Sequence, residues 1–78
     1  MFEKVYIDVF ALFKNGKVYP KNIIWTDGKN FEIDKILDIR RAAAQNVGGL
    51  GLRYTCRIRN KVVYIWLDEN IWFLEIKR

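Results

Sequence analysis

The chain has 78 residues, no histidine, one cysteine, one proline and a formal net charge of +5. This length allows one small domain, residues 1–78, with a thin core and little room for an enclosed ligand cavity. Without histidine the chain lacks the usual general base near neutral pH and the commonest zinc ligand, and one cysteine excludes the usual zinc clusters. We therefore expect no enzyme, no catalytic residue, no metal site and no small-molecule cofactor.

The composition also bears on the compartment. A single cysteine forms no internal disulfide, which suits a reducing cytoplasm. The longest uncharged apolar runs, such as residues 62–67, are far shorter than the roughly 20 residues that a membrane helix needs. The first residues lack the basic region and cleavage site of a secretory leader. We predict a cytoplasmic protein with no membrane partner.

The first third of the chain predicts a β-hairpin. Along a first strand, five apolar residues fall on one face: Val5, Ile7, Val9, Ala11 and Phe13. The dipeptide Asn15-Gly16 follows, and it tolerates the positive φ of a tight turn. A second strand runs from about Val18 to Trp25, and Pro20 implies an edge position or a break early in this strand.

Residues 31–47 allow two interpretations. The apolar positions change from odd to even numbers at Ile36, which indicates either a β-bulge or a change to helix. A helix that begins at Asp34 and ends at Gly48 fits the later spacing. We favour a bulged strand to about Arg40, because β-branched residues dominate it, followed by an alanine-rich connection with about one helical turn.

The clearest alternation in the chain follows the glycines at 48, 49 and 51. One face is apolar: Leu50, Leu52, Tyr54, Cys56 and Ile58. We interpret Cys56 as a buried small hydrophobic residue and not as a reactive thiol. The glycines match no phosphate-binding motif, and we expect them to serve a turn or bulge at the strand entry.

Two more strands, Val62–Leu67 and Ile71–Lys77, are apolar on both faces. A flat sheet with one wet face does not suit them, whereas closure into a small, strongly bent barrel covers part of this apolar surface and self-association covers the rest. The sequence therefore predicts an all-β fold: a small antiparallel SH3-like or OB-like barrel, or a strongly coiled sheet, of five to six strands.

The excess positive charge lies entirely in residues 40–78, because residues 1–39 contain six lysines and six acidic residues. On the predicted strand, the face opposite Cys56 carries Arg53, Thr55, Arg57 and Arg59. Alternate residues of a strand lie roughly 6.5–7 Å apart, close to the phosphate spacing of an extended single strand. Five residues are predicted to contact nucleic acid: Arg40, Arg41, Arg53, Arg57 and Arg59. The competing interpretation is a solvent-facing strand whose arginines pair with acidic residues: Glu32, Asp34 or Glu75.

Part of the chain resembles a known pattern. Residues 24–37, IWTDGKNFEIDKIL, look like a strand ending in Trp, a Gly turn with a basic residue, and an aromatic-x-Ile unit before an Ile-Leu pair. Residues 50–58, LGLRYTCRI, and Trp72-Phe73 add to the likeness. This pattern is similar to that of small, uncharacterised bacterial SH3-like β-barrel proteins, some encoded beside error-prone DNA polymerases. The resemblance implies a small bacterial barrel and no particular activity.

From these features we predict a non-catalytic interaction module that binds nucleic acid weakly and with little sequence preference, through the basic strand face. Aromatic side chains on neighbouring strands, Trp66 and Trp72 in particular, are expected to form part of the interaction surface. The alternative is a protein–protein interaction module or a homodimer that uses the aromatic C-terminal strands.

Overall fold

The computed structural model describes residues 1–44 and 48–77, which form seven antiparallel strands of one curled, half-barrel sheet. The strands are β1 (Phe2–Lys14), β2 (Lys17–Ile24), β3 (Asn30–Glu32), β4 (Lys35–Ala43), β5 (Leu50–Ile58), β6 (Lys61–Asp68) and β7 (Ile71–Lys77). Their order across the sheet is β3-β2-β1-β7-β6-β5-β4. The all-β prediction is confirmed. Within the described residues, no helix has the length and apolar composition needed to span a lipid bilayer.

The expected number of strands, five to six, is wrong, because the third predicted strand divides in two. β3 ends at Glu32 and β4 begins at Lys35, so only two residues separate them. These two strands nevertheless lie at opposite edges of the sheet. The apolar positions change parity between Ile33 and Ile36, across the division, but this change does not distinguish an irregular strand from a chain that moves to the other edge.

This short connection explains why the sheet curls. Laid flat, seven strands would separate the outermost pair by about 29 Å, at 4.8 Å per strand. The link from Glu32 to Lys35 spans at most about 11 Å when fully extended. The edges therefore have to meet. The N–H of Ile33 donates to the carbonyl of Lys21 in β2, and the N–H of Asp34 donates to the carbonyl of Arg57 in β5, both at 2.9 Å.

The bulge predicted at Ile36 is confirmed, and the alternative helix is wrong up to Ala43. Ile36 lies opposite Cys56, and Asp38 lies opposite Thr55, so Leu37 is an extra residue on β4. Because the bulge absorbs one residue, the apolar positions before and after it stay on the inner face. β4 continues past Arg40 to Ala43, so the predicted alanine-rich connection with a helical turn is wrong at Ala42 and Ala43, which pair with β5. Gln45, the last residue of that predicted connection, lies outside the described residues.

The first hairpin forms where the sequence predicts it. Asn15 and Gly16 both have positive φ, at 53° and 75°, as a two-residue turn of this kind requires. β1 is long enough to pair with β7 along its first half and with β2 along its second half. Pro20 is fully buried beside the β-bulge of β2, where the missing N–H costs no ladder hydrogen bond.

The core lies inside the curl. Eight buried residues form it: Val5, Ile7, Ile23, Tyr54, Cys56, Ile58, Ile65 and Leu74. A second, smaller cluster lies on the outer face, where Ala44, Trp66 and Phe73 pack together. This cluster accounts for part of the apolar outer face of the last two strands, because Ala44, the residue after β4, packs on Trp66 and Phe73.

Candidate functional site

The basic face predicted for β5 is present on the outside of the sheet. Tyr54, Cys56 and Ile58 are buried inside the curl, so the alternating residues point outward. Arg53 and Arg57 are therefore on the outer face. Arg40 of β4 lies directly opposite Arg53 and shares this face. The structure thus brings together three of the five predicted arginines.

Arg40 already has an acidic partner. Its Nε donates to Oδ2 of Asp38 at 2.7 Å, between residues two positions apart on the same face of β4. The hydrogen bond from Arg40 lowers the pKa of Asp38; desolvation opposes this, and the charges of Arg40 and Arg53 lower the pKa further. Asp38 therefore keeps its negative charge beside the arginines and neutralises part of this face.

The other two predicted arginines lie elsewhere. Arg41 is opposite Leu52, so it alternates away from the outer face. Arg59 does not continue the β5 row, because the strand ends at Ile58 and Arg59 has a left-handed φ of 50° in the following turn. Its N–H donates to Oδ2 of Asp34 at 3.0 Å, and its guanidinium lies 4.8 Å from the ring centroid of Phe31.

Neither predicted tryptophan lies fully on the surface. Trp66 retains 5% exposure on the outer face and stacks on Phe73, with 5.7 Å between centroids and 8° between planes. Trp72 is half-buried on the inner face, where its ring lies 5.4 Å from that of Tyr54. The exposed aromatic residue beside the arginines is Tyr64, with 47% exposure and the Arg53 guanidinium 4.9 Å from its ring centroid.

A groove opens on the outer face next to Tyr64. β6 and β7 pair at three positions only, from Asp68 opposite Ile71 to Trp66 opposite Phe73. Beyond this point both strands continue but no longer pair with each other. The space between them is a groove of about 740 Å³ whose lining includes Val62, Tyr64, Leu74 and Ile76.

Two residues that line this groove, Arg53 and Trp66, each contain a buried hydrogen-bond donor. Nε of Arg53 and Nε1 of Trp66 have no hydrogen-bond partner among the described residues. The two residues lie directly opposite each other on β5 and β6. A buried donor without an acceptor costs about 1–3 kcal/mol, so this pair favours a ligand that supplies acceptor oxygens. Sequence reasoning missed the pair, because burial on an outward-facing position leaves no sign in the alternation.

Cys56 is inert in this structure. Its side chain is fully buried in the core, and burial raises the pKa of the thiol from 9.0 to about 11. A thiol with such a pKa is almost entirely protonated near neutral pH, and the thiolate is the reactive form. The prediction of a buried hydrophobic cysteine is confirmed.

The glycines at the entry to β5 have structural roles. Gly48 and Gly49 have positive φ, at 79° and 109°. Gly51 packs against the backbone carbonyl of Leu67, so a Cβ at this position would collide with the neighbouring strand. These constraints account for the three glycines without any bound phosphate.

Comparison with known proteins adds no residue to this surface. No protein-family model, no curated protein and no solved structure matches the chain. The resemblance to small bacterial barrels stays a prediction, and the function proposed below rests on the geometry of the outer face.

Proposed function

We propose that this protein is a non-catalytic interaction module whose outer β4–β5–β6 face binds single-stranded nucleic acid weakly and with little sequence preference. The supporting observation is that Arg40, Arg53 and Arg57 share this face with the exposed ring of Tyr64. Cationic side chains contact the phosphates of a single strand, and an aromatic ring stacks on a base.

The spacing of the arginines favours an extended strand. Arg53 and Arg57 are four residues apart on β5, which corresponds to about 13 Å, or roughly two nucleotides of an extended chain. Side chains on a sheet face do not enter the major groove as a recognition helix does, so we expect little reading of base edges. Arg53 lies over Tyr64, so a stacking base has to displace or extend this contact.

A titration at several salt concentrations tests the proposal. Fluorescence anisotropy of a labelled oligothymidine of about 15 nucleotides is compared with that of a duplex of equal length. With three phosphate contacts, the log–log slope of affinity against salt is expected to be about −2, from roughly −0.7 per phosphate. Absence of binding to the single strand at about 50 mM salt overturns the proposal, because counterion release is largest there.

A protein interaction, or a homodimer, is the second candidate. An apolar stripe of four exposed side chains runs along the outer face of β1 and onto β7: Tyr6, Phe10, Leu12 and Ile71. Contiguous apolar surface of this kind is typical of protein interaction sites. Analytical ultracentrifugation over a range of concentrations tests self-association, and a strict monomer at high concentration excludes the homodimer.

We further propose that the half-barrel belongs to the SH3-like or OB-like barrels. The support is that its short antiparallel strands curl until the two edges meet at Ile33 and Asp34. An experimental structure tests this through its strand order and bulges. A sheet whose edges stay apart contradicts it.

A further inference from the structure

We propose that the groove between β6 and β7 binds an extended peptide of a partner protein, which adds as a strand to the inner edge of β6 and places a carboxylate at Arg53 and Trp66. The proposal names a protein-interaction site separate from the apolar stripe of β1, and it does not depend on nucleic-acid binding. It combines a strand edge that pairs with no described strand and two buried donors that have no acceptor among the described residues.

The two hairpins decide which backbone groups of β6 face the groove. In a two-residue hairpin the two residues that close the turn exchange backbone hydrogen bonds with each other, and every second pair of residues along the two strands does the same. Asp68 and Ile71 close the β6–β7 hairpin, so the backbone of every even-numbered residue of β6 points toward β7. The β5–β6 hairpin, closed by Ile58 and Lys61, agrees, because it turns the odd-numbered residues toward β5.

Val62 and Tyr64 are therefore the residues whose backbone N–H and C=O groups face the groove. On the side toward β5, β6 is fully paired, and Arg57 lies opposite Val62. On the side toward β7, no described strand pairs with β6 beyond Trp66. Backbone groups along an open edge form a template for another strand, and extended peptides bind proteins in this way.

The donors at the closed end of the groove determine the chemistry of the peptide. The side chain of Trp66 is buried, with only 5% of its surface exposed. Its Nε1 and the Nε of Arg53 both lack a hydrogen-bond acceptor among the described residues. A carboxylate offers two acceptor oxygens and a negative charge that matches arginine. Glu75 also lines the groove and is itself engaged in an interaction, so an incoming carboxylate has to bind on the Arg53 side.

The walls favour a peptide over a nucleic acid. Val62, Val63, Leu74 and Ile76 line the groove, and these apolar side chains match alternate side chains of a strand. A nucleic acid has no peptide backbone to continue the ladder along β6. It therefore contacts the exposed arginines but forms no strand pairing with the backbone N–H and C=O groups of Val62 and Tyr64.

Nuclear magnetic resonance of the full chain tests the proposal. The probe is an acetylated hexapeptide of alternating threonine and valine, with one lysine for solubility and a free terminal carboxylate; the matched control is its C-terminal amide. Binding of the acid is expected to move the Trp66 indole N–H resonance downfield and to shift the amides of Val62 and Tyr64. We expect the amide to bind about tenfold more weakly, since it lacks the charge-assisted hydrogen bonds.

Three variants separate the two parts of the site. Trp66→Phe keeps a ring against Phe73 but removes the N–H, and Arg53→Gln removes the cation. Val62→Pro removes an N–H that the fold does not use, and proline is tolerated on an open edge. Each is expected to weaken peptide binding by about tenfold while the amide spectrum stays that of a folded sheet. Arg57→Gln is the control, which is expected to weaken oligothymidine binding but not peptide binding.

The outcomes distinguish the proposals. If the indole and edge amides of the wild-type protein do not respond to the acid peptide at about 5 mM, the peptide site is wrong, because even weak strand addition is visible there. If Val62→Pro and Trp66→Phe bind the peptide as the wild type does, it is also wrong. If oligothymidine shifts the same indole and edge amides and displaces the peptide, the groove belongs to the nucleic-acid site.

Discussion

The hydroxyl of Tyr54 donates a hydrogen bond of 2.7 Å to the backbone carbonyl of Val18, although 36 residues separate them in the chain. Tyr54 lies on β5 and Val18 on β2, and four steps of the sheet order separate these strands. The hydrogen bond therefore crosses the inside of the curl. It complements the link through Ile33 and Asp34, which joins the two edges of the sheet.

Removal of this hydroxyl is expected to destabilise the domain. Tyr54→Phe leaves the ring in the core but leaves the Val18 carbonyl without its donor, which costs about 1–2 kcal/mol of unfolding free energy. Urea unfolding measures the change. Tyr64→Phe is the control, because this hydroxyl has no hydrogen bond to the described core and its ring is exposed. Equal stability of the two variants contradicts the bracing role of Tyr54.

The arginines on the outer face are expected to carry oligothymidine binding. Arg53→Gln with Arg57→Gln removes two phosphate contacts, so the affinity falls and the log–log salt slope becomes shallower by about 1.4. Arg59→Gln, which removes a cation from the turn beside Phe31, is expected to leave both quantities nearly unchanged. Anisotropy titrations check this. An equal loss for the Arg59 variant would place the nucleic acid on another surface.

Asp38 is expected to oppose nucleic-acid binding. Asp38→Asn removes a negative charge that stays ionised beside Arg40, because the hydrogen bond from Arg40 lowers its pKa. The released guanidinium becomes available to a phosphate, so we expect about a two- to tenfold gain in affinity at low salt. The gain disappears in the Arg40→Gln background. A loss of affinity in Asp38→Asn, with the fold intact, refutes this effect.

Stability is expected to fall in alkaline solution because of Cys56. Burial raises its pKa from 9.0 to about 11, so between these values the unfolded thiol loses its proton while the folded thiol keeps it. The unfolded state then binds fewer protons, and the contribution lost as pH rises is roughly 2–3 kcal/mol. Urea unfolding at pH 8 and pH 10.5 measures the fall.

Cys56→Ala is the matched variant for this alkaline effect. Its stability at pH 8 is lower because of the lost packing, but its decline with pH is expected to be smaller. Part of the decline persists, because burial also raises the pKa of Tyr54. If the variant and the wild type decline in parallel, the thiol is not the cause.

Self-association, if it occurs, is expected to use the apolar stripe of β1. Phe10 is 64% exposed on the outer face, so Phe10→Glu leaves the core intact and disperses a dimer formed there. Trp72→Glu is not equivalent, since Trp72 packs on the inner face and a charge in the core unfolds the domain. Sedimentation and circular dichroism together separate these results. A dimer that survives Phe10→Glu excludes this part of the stripe.

The sequence by itself determined the local structure of this protein. Alternation along β5 places Cys56 inside and Arg57 outside, because successive side chains of a strand point to opposite faces. Asn15-Gly16 determined the first hairpin, and the change of parity at Ile36 determined the bulge of β4. Each of these features depends on neighbours within a few residues, so a local pattern records it.

Only the tertiary structure decided which distant residues meet. The connection at Ile33 and Asp34 sends the chain to the opposite edge of the sheet, and the change of parity beside it does not distinguish this move from a bulge. Ala44 and Phe73 bury Trp66 on the outer face, whereas Tyr64 stays exposed beside Arg53. The divergence of β6 from β7 beyond Trp66 also follows from the curl, because each strand stays paired with its other neighbour. Such long-range packing leaves no periodic signal, since it depends on how far each strand is bent and paired.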